Sequence, residues 1–253
     1  LVADSYSHGR MFLAGDAAHL YTPSGGFGLN TGVDDASNLA WKIAAVIHGW
    51  GGENLLDTYE TERRAAALRS TRTARAIGRA TPYSNIDPAI EEDSPAGEEA
   101  RRKVAQSDFV VHNHFNEPEE TDWLGVILGT RYDASPVIVA DAPPPPESTE
   151  RYLPSDVPGG RAPHLWLDGG RGTGSSLFDH FGHGFTLLCI GEQPDAGAFK
   201  SSADLLRIPL KVFSIPRSPA DQLYSRRFYM IRPDGWIDWR GDSVPRDIAL
   251  VFR

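Results

Sequence analysis

The residues whose types and spacing could do chemistry lie between Gly15 and Asn30. A short apolar run, residues 10–14, ends at Gly15-Asp16-Ala17-Ala18-His19. An aspartate at the carboxyl end of a strand in an open α/β sheet lies at the edge where ligands bind. Its carboxylate can accept hydrogen bonds from sugar or ribitol hydroxyls. A loop follows, Thr22-Pro23-Ser24-Gly25-Gly26-Phe27-Gly28. Its glycines let the backbone approach a flat or charged ligand with no Cβ in the way. A helix is expected to start near Leu29-Asn30, so its first N–H groups and positive dipole end point into the loop. Such an end stabilises negative charge, on a phosphate or on a reduced ring system. Each part alone could merely connect its neighbours. The three in this order favour a ligand site. His19 can be read as a substrate-side residue or as packing.

These residues need elements to hold them. Residues 10–14 read as a strand, and continuous apolarity suggests burial on both faces, as in a parallel sheet. Val33, Ala36, Leu39, Ala40, Ile43, Ala44 and Ile47 recur at three- and four-residue spacing and predict a helix over 30–48 with that face inward. Gly49, Gly51 and Gly52 end it. A second amphipathic helix is expected over 55–78, with Arg63, Arg64, Arg69, Arg72 and Arg75 largely on its polar side. A modest helix is expected over 98–106 and strands over 125–130 and 136–140. A run of four prolines, Pro143 to Pro146, favours stiff extended backbone suited to a spacer. The expected organisation is therefore residues 1–140, a connector over 141–160, and a small α/β unit over 161–253. In that unit strands are expected over 164–167, 185–190, 210–215, 227–232 and 236–239. Helices are expected over 176–181, 196–206 and 219–224. Pro233-Asp234-Gly235 between two apolar runs signals a hairpin. Trp236 and Trp239 read as the core of that hairpin rather than as a stacking platform.

Composition narrows the function classes. The chain has 253 residues with 25 basic and 34 acidic side chains, a formal net charge of −9. That argues against a binder of nucleic-acid backbone. The carboxylates of Glu91-Glu92-Asp93 and Glu98-Glu99 read as solvated surface. No window is apolar enough to span a membrane, and no secretory signal is visible, so the cytoplasm is the expected compartment. One cysteine, Cys189, excludes an intrachain disulfide and a CxxC pair. It sits in an apolar run and reads as packing. The chain opens Leu1-Val2-Ala3-Asp4, without methionine, and reads as a piece of something longer or a processed product.

Gly15-Asp16-Ala17-Ala18-His19 with Pro23-Ser24-Gly25-Gly26-Phe27-Gly28-Leu29-Asn30 resembles the second FAD-binding motif of the flavin-dependent aromatic hydroxylases, the para-hydroxybenzoate and phenol hydroxylase relatives. Asn38-Leu39-Ala40-Trp41-Lys42 and Tyr59-Glu60-Thr61-Glu62-Arg63-Arg64 are similar to the helices that follow it. Gly160-Arg161-Ala162-Pro163-His164 is similar to the start of a C-terminal domain of the phenol hydroxylase branch. The resemblance implies an α/β (α+β) fold: the C-terminal part of a GR2-type FAD-binding domain, then a thioredoxin-like domain without redox cysteines. It implies that Asp16 bonds the ribitol of FAD and that Leu29 and Asn30 amides face the pyrimidine edge, with Gly28 allowing the approach. Gly15, Ala17 and Gly26 belong to the same cofactor set, and Pro23, Ser24 and Gly25 lie toward the substrate. It implies an NAD(P)H-dependent monooxygenase that uses O₂, through a flavin C4a-hydroperoxide, to hydroxylate a small aromatic, phenolic or polyketide-like substrate. No catalytic base can be assigned.

The family's opening G-x-G-x-x-G turn does not occur here. The expectation is therefore a C-terminal portion that holds about half of a flavin site and is inactive alone. An N-terminal half of the same enzyme is its expected partner, and a homodimer its expected assembly. Two other readings stand beside this one. Residues 161–253 could serve only for dimerisation or interaction. His112-Asn113-His114 with Glu119 could chelate a divalent metal, but Gln106 and Val126 stand where that pattern wants glycines. The expectation is no metal.

Overall fold

The computed structural model describes residues 1–23, 25–52, 54–80, 86–106, 123–167, 174–191, 195–220 and 222–252. Two short strands open it: β1 (Ser7–His8) and β2 (Met11–Phe12), an antiparallel hairpin turned at Gly9. This corrects the expected buried parallel strand over 10–14. The strand is two residues long, and Met11 is 66% exposed. Among the described residues β2 pairs with β1 alone. A 3-10 turn, Gly15–Ala17, follows.

Helix α1 (Phe27–Ile47) starts earlier than expected, after Gly26 in the left-handed region. Helix α2 spans Thr58–Ala80. The expected inward stripe of α1 is only partly inside: Leu39, Ile43 and Ala44 are half-buried, while Val33 is 58% and Ile47 74% exposed. The buried face carries Thr31, Asp35, Asn38 and Lys42 among Phe27, Trp41 and Ala45. The physical reason is pairing. Asp35 meets Arg63, while Asn38 and Lys42 meet Glu62, all across the α1–α2 contact. Arg63 is accordingly fully buried. Arg69 is spent on the carbonyls of Gly125, Val126 and Ser148. Neither arginine lies on a solvated polar side.

Helix α3 (Pro95–Ala105) is capped by Ser94 Oγ, which accepts from the Gly97 N–H at 3.2 Å. Residues 125–130, expected as a strand, instead contain α4 (Leu124–Leu128). Carbonyls there that a neighbouring strand would need are bonded by Arg69. Residues 136–140 form no strand; Val139 N–H bonds the Asp238 carbonyl at 2.9 Å.

The C-terminal unit is a four-stranded sheet in the order β6-β5-β7-β8. Strands β5 (Phe185–Ile190) and β6 (Leu210–Ile215) are parallel, joined through α5 (Gly197–Leu206). Strands β7 (Phe228–Ile231) and β8 (Ile237–Gly241) add antiparallel. A β-α-β unit followed by a hairpin in this order is the arrangement expected of a thioredoxin-like unit. Before it, β3 (Trp166–Leu167) pairs with β4 (Ser175–Ser176), and a 3-10 turn, Leu177–His180, carries a Ser176–Asp179 capping box. The helix expected over 219–224 is a short turn at Arg217–Ala220. Every residue of β5 is buried, because the sheet is covered on both faces. Phe185, Leu187 and Cys189 face one core with Trp41, Ala45 and Phe199. Leu188 and Ile190 face the other with Tyr229 and Ile231.

Candidate functional site: an exposed aspartate turn beside a helix start

The 3-10 turn holds Asp16 exposed, and no partner of its carboxylate occurs among the described residues. Gly15 has φ +57, which favours glycine. The turn lies directly on α1: a Cβ built on Gly32 would come 3.4 Å from Gly15 Cα. Gly25 and Gly26 have φ +85 and +65, so the loop too depends on glycine. The Gly26 N–H donates to the Pro23 carbonyl at 3.2 Å. A Cβ on Gly26 would meet nothing within 4 Å, so that face of the loop is open.

With α1 starting at Phe27, the Asn30 N–H is the first able to close an intrahelical bond, to Gly26. The amides of Phe27, Gly28 and Leu29 have no helical partner. Asn30 Nδ2 also donates to the Gly26 carbonyl, at 2.9 Å. The helix start therefore presents one amide set earlier than the motif suggests. Leu29, 81% exposed, stands at its rim. An exposed carboxylate, an open glycine loop and unspent amides fit a ligand that offers hydroxyls on one side and negative charge on the other. FAD is such a ligand, and the residues present fit it. Ser24 lies outside the described residues, as do His112, His114 and Glu119. Among the described residues no cluster of side chains could hold a metal ion.

Beneath the turn lies a buried polar network. Asp35 accepts from Gly15 N–H at 3.0 Å, from His19 Nε2 at 2.6 Å and from Arg63 Nε at 2.7 Å. Burial pushes its pKa up, but the bonds from His19 and the charge of Arg63 outweigh that and hold it low. His19 is thus a packed, bonded residue rather than one facing a substrate. Glu62 accepts from Lys42 Nζ at 2.7 Å, from Ser135 Oγ at 2.6 Å and from both terminal nitrogens of Arg232 at 2.8 Å. Burial pushes Glu62 up, and Arg232 and Lys42 pull it far below the usual carboxylate range. Burial lowers Lys42 to about 8 against the pull of Glu62. Arg232 also binds Asp234 and lies over the rings of Trp41 and Tyr132, 5.2 Å from each centroid. The carboxylate of Asp238 is buried with no hydrogen-bond partner among the described residues, and burial pushes its pKa well above the usual carboxylate range. Burial likewise raises the Cys189 thiol to about 11, which suits packing and not nucleophilic chemistry.

Sequence reasoning missed this network. One signal was available: Thr31, Asp35, Asn38 and Lys42 recur at spacings of four, three and four, a helical stripe of polar residues.

A cavity of about 470 Å³ lies elsewhere, between α2, residues 128–133 and residues 144–155. Arg69, Arg72, Arg131, Arg151 and Arg161 line it, and none of the motif residues does. The motif face is an open surface in this chain.

A family model described as FAD binding domain matches residues 1–74, and one described as aromatic-ring hydroxylase, C-terminal, matches residues 155–251. The chain belongs to the FAD-dependent aromatic-ring hydroxylases. Within this hydroxylase family it is 33% identical over 246 residues to the FAD-dependent monooxygenase opdD of Penicillium oxalicum, covering 93% of this chain and 45% of that protein. The structure of chromopyrrolic acid-soaked RebC with bound 7-carboxy-K252c superposes with a TM-score of 0.78 at 39% identity, over 99% of this chain and 46% of that one. The ternary complex of aklavinone-11 hydroxylase with FAD and aklavinone gives 0.72 at 31%, over 100% and 44%. The chain therefore spans less than half the length of these hydroxylases and monooxygenases.

Proposed function

We propose that this chain is the C-terminal portion of a flavoprotein monooxygenase that hydroxylates an aromatic, phenolic or polyketide-like substrate with FAD, NAD(P)H and O₂. The observation that carries the reading is the exposed, unpartnered Asp16 held against the start of α1. Bound FAD supplies the redox chemistry and the activation of oxygen. The chain's own residues bind and orient. Asp16 accepts from ribitol hydroxyls, with Gly15 and Ala17 shaping its turn. The amides of Gly28 and Leu29, on the helix that Asn30 closes, place a fixed positive end against the electron-rich edge of the ring. Pro23, Ser24, Gly25 and Gly26 border the substrate side. Buried Asp35 and Arg63 keep water away from the back of the turn.

We also propose that an N-terminal half of the same enzyme completes the site and covers Leu29, Val33 and Ile47. Those side chains form an apolar stripe of the kind that marks an interface. The cytoplasm and a homodimer complete the proposal. No helix among the described residues is long and apolar enough to cross a membrane. The test is gel filtration with flavin absorbance. The chain alone should elute colourless after incubation with FAD, and together with the residues that precede it in the full-length protein it should elute yellow. A yellow peak from the chain alone contradicts the two-part site.

A further inference from the structure

A carboxylate in the interior of a helix is costly to bury unless it is paired. Asp35 is fully buried in α1, and three donors converge on it. An ionised carboxylate is an acceptor only, so three donors suit it. One of the three belongs to the exposed turn and a second lies two residues beyond it. Gly15 N–H precedes Asp16 and His19 Nε2 follows it, so Asp35 grips the turn on both sides of Asp16. The third, Arg63, extends the grip. Its Nη2 donates to the Thr31 carbonyl of α1 at 3.2 Å, and its Nη1 donates to Tyr132 Oη at 2.8 Å. Tyr132 stacks on Trp236, 4.9 Å between centroids and 19° between planes. Trp236 lies between β7 and β8 of the C-terminal unit.

We propose that Asp35 is the positioning residue of the flavin face, fixing the Gly15–Ala17 turn on α1, and that the C-terminal unit braces that turn through Trp236, Tyr132 and Arg63. The inference rests on the reading of Asp16 and the start of α1 as flavin contacts. A binding carboxylate on an exposed turn is effective only when the residues behind it lock its position. Asp35 sets the spacing between the two flavin contacts, because it belongs to α1 and holds the turn. The C-terminal unit then has a role at the cofactor without touching it.

The test uses the intact flavoprotein. Asp35→Asn should raise the Kd for FAD by about tenfold or more, the scale of one charge-assisted hydrogen bond. The flavin bound at saturation should show altered visible circular dichroism. A residue that only supports the fold would lower the melting temperature of the apoprotein and leave that spectrum unchanged. If Asp35→Asn does not fold, His19→Gln and His19→Leu replace it. Gln keeps an N–H toward Asp35 and should stay near the wild-type affinity and spectrum, whereas Leu should lose both. Wild-type affinity and spectrum in Asp35→Asn, or identical behaviour of the two His19 variants, overturns the inference. Asp16→Asn is measured alongside. If it alone loses FAD, only the role of Asp35 fails; if it too binds normally, the flavin reading itself fails.

Discussion

Strand β5 buries almost only apolar residues, whereas helix α1 buries a polar stripe beside its apolar ones. In β5, Phe185, Leu187, Leu188, Cys189 and Ile190 are all inside, and β6 and β7 pair with it on its two edges. In α1, Asp35, Asn38 and Lys42 are buried beside Phe27, Trp41 and Ala45, while Leu29, Val33 and Ile47 face out. The difference teaches where each region finds its partners. The C-terminal unit closes its core with its own strands and α5. The segment around α1 spends its polar face on α2 and on the C-terminal hairpin, and leaves an apolar face uncovered. Hydrophobic residues need not be inside, but an aligned stripe of exposed ones has a meaning.

The comparison can be broken first at Glu62. Glu62→Leu leaves Lys42 buried without its carboxylate and Arg232 with Asp234 alone. Losing one partner of a buried pair costs about 3–5 kcal/mol, and urea denaturation should show a loss of that size. Acid should act on the same group. Its folded pKa is depressed, so its contribution is present above the ordinary glutamate range and is lost as pH falls through and below it. Tryptophan fluorescence, with Trp41 and Trp236 beside Arg232 and Tyr132, should report this loosening below about pH 4. Leu187→Ala, in the fully buried strand β5, should cost about 2–5 kcal/mol through a cavity. The smallest effect sharpens the contrast most. Val33→Ser should change the stability of this chain by less than about 0.5 kcal/mol, as an exposed site does. The same substitution in the full-length protein should cost measurably more, and equal small effects in both would show that nothing covers the stripe.

Much of the C-terminal unit was legible in the sequence. FTLLCI is a strongly apolar run, LKVFSI keeps enough β-branched and aromatic residues to read as a strand, and Pro-Asp-Gly marks the hairpin turn. Local signals also placed Asp16, the glycine loop and a following helix. What was not legible depends on distant partners. The run Gly125-Val126-Ile127-Leu128 is too short to separate strand from helix by pattern. The guanidinium of Arg69, far away in the chain, binds its carbonyls. The inward face of α1 was misread because Asp35, Asn38 and Lys42 look solvent-bound until Glu62, Arg63 and Asp234 are brought to them. Periodicity records polarity along one element and says nothing about a countercharge on another.

The central claim is that Asp16 and the start of α1 form one face of a flavin site. Titration of the intact protein with FAD, followed by flavin fluorescence, tests it in wild type and Asp16→Ala. Loss of a hydrogen-bonding carboxylate should weaken binding by roughly 1.5–3 kcal/mol, about ten- to a hundredfold in Kd. An unchanged affinity in Asp16→Ala would contradict the account.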